Sequence, residues 1–167
     1  MVGMSRRAAL ILFCLVLASL VIQVSLLPVF IRPPFKPDLL LVIMVFLALR
    51  ESFEVGAPLA WFLGLLNDVF SGLYLGLNAA TFLISFFIIK SVSGRLYADS
   101  AILFVLTVAG VTLAGFTVNL LLVVMFTESS GIAYSMFSDI FPRLLVNAFI
   151  ASLVAAFPVF DAQVESQ

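Results

Sequence analysis

The stretch from Gly56 to Gly76 reads Gly-Ala-Pro-Leu-Ala-Trp-Phe-Leu-Gly-Leu-Leu-Asn-Asp-Val-Phe-Ser-Gly-Leu-Tyr-Leu-Gly. It sets one carboxylate among small residues, inside a chain that is otherwise nearly all hydrocarbon. Steps of four from Gly56 give Ala60, Gly64 and Asp68. Each such step turns only about 40° around a helix, so the four share one face. In a membrane, small residues at this spacing let a second backbone approach closely, which predicts a packed helix pair with Asp68 on the protein side. Ser71, Gly72, Gly76 and Asn78 then read as a turn and a restart, so two helices meet near Asp68. Gly56, Ala60, Gly64, Asp68, Gly72 and Gly76 are the candidate helix-packing or partner-docking positions.

The surrounding chain explains why such a face matters. Of 167 residues, 64% are hydrophobic and 10% charged, too apolar a mixture for a soluble core with a hydrated surface. Eight scattered Lys and Arg residues and a net charge of −1 leave no basic footprint for nucleic acid. There is no histidine, which removes Ser/His and Cys/His nucleophile pairs. Cys14 is the only cysteine and lies in an apolar run, so neither a disulfide framework nor a thiolate metal site is available. The carboxylates are scattered, and no spacing groups three of them on one helix face for a cation. Glu51 and Glu54, beside Arg50, read as a solvated polar turn with an ion pair rather than a catalytic dyad. Cofactors are not expected.

Hydropathy divides the chain into six spans, at about 8–29, 39–49, 55–70, 73–89, 101–126 and 136–160, forming a single polytopic domain over 1–167. Span one follows Arg6 and Arg7 and has no Ala-x-Ala cleavage pattern, so it reads as an uncleaved membrane helix. Three prolines between Phe30 and Asp38 force a turn. Span two has only eleven apolar residues, and Asp38 suits the positive end of the helix that begins there. Thr127 to Ser135 reads as a loop. Arg6, Arg7, Arg50, Lys90 and Arg95 fall on one side and Arg32 and Lys36 on the other, which favours both termini in the cytoplasm.

On that topology the intramembrane polar residues Asn67, Asp68, Asn78, Asn119, Arg143 and Asn147 gather in the outer half of the bilayer. An unpaired charge there costs several kcal/mol, so Asp68 is expected to meet Arg143 directly or through a shared amide. Such a cluster has three readings. It fixes helix register in the bundle, it docks another protein's transmembrane helix, or it opens outward for a small ligand.

The elements Pro37-Asp38-Leu39-Leu40-Leu41 and Gly64-Leu-Leu-Asn-Asp-Val-Phe-Ser-Gly-Leu-Tyr-Leu-Gly-Leu-Asn78 resemble the rod shape-determining protein MreD family of bacteria. Where that family commonly has Pro-Leu-Gly after Ser-Gly, this chain has Tyr74-Leu75-Gly76. The resemblance implies an all-α, six-helix bundle similar to the S components of energy-coupling factor transporters. It also implies a non-catalytic, multi-pass component of the inner membrane in the cell-wall elongation machinery. The partners it implies are the membrane-anchored MreC protein, the glycosyltransferase and transpeptidase pair that builds peptidoglycan, and the MreB filament. The competing function is a vitamin-binding S component. An Ala-x-x-x-Ala docking surface belongs to that class, whereas Ala8, Ala9 and Ala18 of span one lack the spacing.

Overall fold

The computed structural model describes residues 6–31, 35–71, 75–93, 101–126 and 130–156. These residues are almost entirely helical, with no strand among them. The first rod is α1 (Arg6–Val21), a π-helical turn (Ile22–Leu26) and a last turn, α2 (Leu27–Phe30). Pro28 has no N–H to return to Val24, and the wider turn before it absorbs the missing bond. The other helices are α3 (Leu39–Arg50), α4 (Phe53–Ser71), α5 (Leu77–Ser93), α6 (Ala101–Phe126) and α7 (Ser130–Ala156).

Lengths differ in a way that shapes the molecule. At 1.5 Å per residue α6 and α7 run about 40 Å and α4 about 28 Å, but α3 only about 18 Å, against roughly 30 Å of hydrocarbon. By length and composition four segments can cross a membrane, at Leu10–Phe30, Phe53–Phe70, Ala101–Leu121 and Ser138–Ala156; Leu39–Arg50 and Leu77–Val92 are shorter.

The shortest helix occupies the middle. α3 touches α1, α4, α5, α6 and α7, and eight of its twelve residues are buried. Its sequence is apolar on every side, as a helix without a solvent or lipid face must be. Leu40, Met44 and Val45 pack with Leu63, Phe82, Phe86, Phe104 and Val108 from three neighbouring helices. Lipid tails are as apolar as these side chains, so close van der Waals fit rather than expulsion from water holds the core together. The α1 rod is the opposite case. Leu10, Ile11, Phe13, Val21 and Val29 are exposed around it, a surface suited to lipid or to another apolar helix.

At the end of the bundle that holds the α3–α4 turn, Glu51 closes α3 through its N–H to the Leu47 carbonyl, 2.8 Å. Lys90, in the last turn of α5, donates to the Glu51 carbonyl at 2.7 Å, and the Arg50 guanidinium lies over the Phe46 ring. Ring stacking thus engages Arg50, one of the charges read as a solvated patch, whereas Glu51 takes part through its backbone.

Two boundaries differ from expectation. Ser130–Ser135, read as loop, already belongs to α7. Ser-Gly sits in its first turn, where N–H groups lack intrahelical partners anyway and glycine disrupts little. The fourth helix starts at Leu77 rather than at residue 73, after Gly76 with φ of 95°; residues 72–74 and 157–167 lie outside the described part.

Candidate functional site

The intramembrane polar groups assemble around two carboxylates, each of which finishes the start of a helix. Asp68 lies near the end of α4, 2% exposed. It accepts from the backbone N–H groups of Gly76 (2.9 Å), Asn78 (2.8 Å) and Ala79 (3.1 Å). These N–H groups, of the residue before α5 and of its first turn, have no carbonyl of their own helix to bond and lie at the positive end of its dipole. A side chain from one helix therefore caps the next. Gly76, at positive φ, makes the tight reversal that aims those groups back at α4.

The stripe leading to Asp68 makes that reversal possible. A Cβ on Gly64 would run into the Ala79 Cα and lie 2.7 Å from the Asn78 carbonyl oxygen, and one on Gly56 would lie 2.5 Å from the Phe86 ring. Ala60 is wholly buried between them. Gly56, Ala60, Gly64 and Asp68 thus form the face of α4 that lies against α5, leaving it no room to receive a further helix. Gly72 is outside the described residues.

Asp38 is the second carboxylate, at the start of α3. Its Oδ1 accepts the Leu41 N–H at 3.1 Å, a helix N-cap, and its Oδ2 accepts the Asn67 amide at 3.0 Å. Gln23, in the π-helical turn, adds a side-chain hydrogen bond to the same carboxylate. The Asp38 N–H donates to Asn147 Oδ1 at 2.8 Å; the Asn147 amide donates to Thr112 Oγ1 at 3.1 Å, and that hydroxyl to the Val108 carbonyl at 2.8 Å. One connected chain of bonds joins the α1 rod, α3, α4, α6 and α7.

Its place along each helix follows from the helix rise. Asp38 stands about 18 Å along α3 from Arg50, Thr112 about 17 Å along α6 from Ala101, and Asn147 about 14 Å along α7 from Ala156. On α4, Asn67 lies one turn from the helix end at Ser71.

The six outer-half residues read from the sequence consequently do not form one cluster. Asn67 and Asn147 belong to the Asp38 network, and Asn78 meets Asp68 through its backbone N–H. Asn119 turns back on its own helix, donating to the Gly115 carbonyl at 2.9 Å. The expected Asp68–Arg143 pairing gives way to backbone capping of Asp68. Arg143 is exposed on α7, and the charge it acts on is that of Asp38. Asp38, Gln23 and Thr112 are the members that the cluster read from the sequence left out. The signal for Asp38 was the eleven-residue span: a helix that short places its own N-cap among its longer neighbours.

Both carboxylates are enclosed and engaged as acceptors, and among the described residues no three His, Cys, Asp or Glu side chains are grouped to hold a metal ion. What the arrangement does is lock helix starts and helix register where no water is available to satisfy them. No curated protein and no solved structure matches the chain. Residues 5–161, nearly its whole length, match the family described as rod shape-determining protein MreD. A chain so covered by that family, with apolar helices of spanning length, belongs to the rod shape-determining MreD family of membrane proteins.

Proposed function

We propose that the protein is a non-catalytic scaffold of the bacterial cell-wall elongation machinery, working in the inner membrane by helix–helix contact. Membership of the shape-determining family carries this reading. The partners that fit it are a MreC-like membrane-anchored periplasmic protein and the glycosyltransferase and transpeptidase pair, with the MreB filament on the cytoplasmic side. The bundle is consistent with a scaffold in two respects. Its carboxylates Asp38 and Asp68 are engaged as helix caps, and its α1 rod offers apolar surface along most of its length. The Lys and Arg distribution favours both termini in the cytoplasm. Likeness to a transporter S component belongs to the same proposal as an expectation of architecture.

Affinity purification of the tagged full chain from bacterial membranes, followed by identification of co-purifying proteins, tests it. A single-span periplasmic protein should co-purify, and substitution of exposed α1 residues such as Phe13 or Val21 by Trp should weaken that association without unfolding the bundle. Recovery of the chain alone, together with thermal stabilisation by a vitamin in detergent, would replace this reading with the transporter one.

A further inference from the structure

We draw no further inference here: the strongest candidate, the exposed face of α6 that carries Gly110, Ala114 and Thr117 with open space above Gly110, is a stripe of small residues, and nothing in the structure shows what covers it.

Discussion

Replacing Gly64 with alanine adds a single methyl group, and the structure specifies where it goes. The new Cβ would meet the Ala79 Cα, the Ala79 nitrogen at 2.8 Å and the Asn78 oxygen at 2.7 Å, all of them backbone atoms at the start of α5. A side chain could rotate away, but this backbone is held by its three bonds to Asp68 one turn further along α4. Relief requires α4 and α5 to separate, which stretches the Asp68 cap. Overpacking of this kind costs about 1–3 kcal/mol, and a stretched cap adds about 1 kcal/mol. Two other helical glycines give the baseline. Nothing lies within 4 Å of a Cβ built on Gly110, and on Gly115 it would be 3.8 Å from the Thr81 methyl group, an ordinary contact. There, alanine should stabilise by about 0.5–1 kcal/mol through helix propensity alone. Equilibrium unfolding of the full chain in mixed micelles, for Gly64→Ala, Gly110→Ala and Gly115→Ala, should therefore separate the first from the other two by about 2–4 kcal/mol. Gly64→Leu should be worse still and should lower cross-linking between cysteines placed on α4 and α5. If Gly64→Ala were as stable as Gly110→Ala, the close approach of the two helices would be wrong, and with it the reason for the small-residue stripe.

Further perturbations probe the two carboxylates. Asp68→Asn keeps the shape but turns one acceptor into an amide that faces N–H donors, and should destabilise by about 1–3 kcal/mol; its loss of stability should accompany any loss of partner binding, and a normally folded variant with only an activity missing would contradict the capping role. Asp38→Ala removes an N-cap and leaves the Asn67 and Gln23 amides without their acceptor, a combined loss of about 3 kcal/mol in the same unfolding assay. For Asn147→Leu and Thr112→Val, a double-mutant cycle should give a coupling of about 0.5–1 kcal/mol, the usual size for a hydrogen bond between membrane helices. A coupling of zero would mean that the Asn147 amide does not rely on that hydroxyl.

Much of the bundle could be read from periodicity, because in a membrane the sequence patterns that matter are local. The Gly56-to-Asp68 stripe needed only the helix period, and the structure seats it against Phe86, Asn78 and Ala79. The position of Asp38 demanded more. Its suitability as an N-cap is a local property, but its partners Gln23, Asn67 and Asn147 come from three other segments, and only the length of α3 hints that they stand at one level. The mistaken partner of Asp68 has the same origin. Opposite charges placed at similar depth invite pairing, whereas the donors that satisfy Asp68 are backbone N–H groups, present at every residue and therefore invisible as a motif. Ser130–Ser135 was misread because Ser and Gly mark loops in general yet are also favoured where helices begin.

The short central helix ties these observations together. A helix that starts inside the bundle exposes its first N–H groups where lipid can offer them nothing, so it is stable only if the protein supplies acceptors there. Asp38 is such an acceptor, and the amides of Asn67, Gln23 and Asn147 hold its carboxylate and backbone in turn. Without those amides the carboxylate would be an uncompensated buried charge, and the helix start would be better served at the membrane surface. The polar residues of this chain are thus what permits α3 to start among its neighbours.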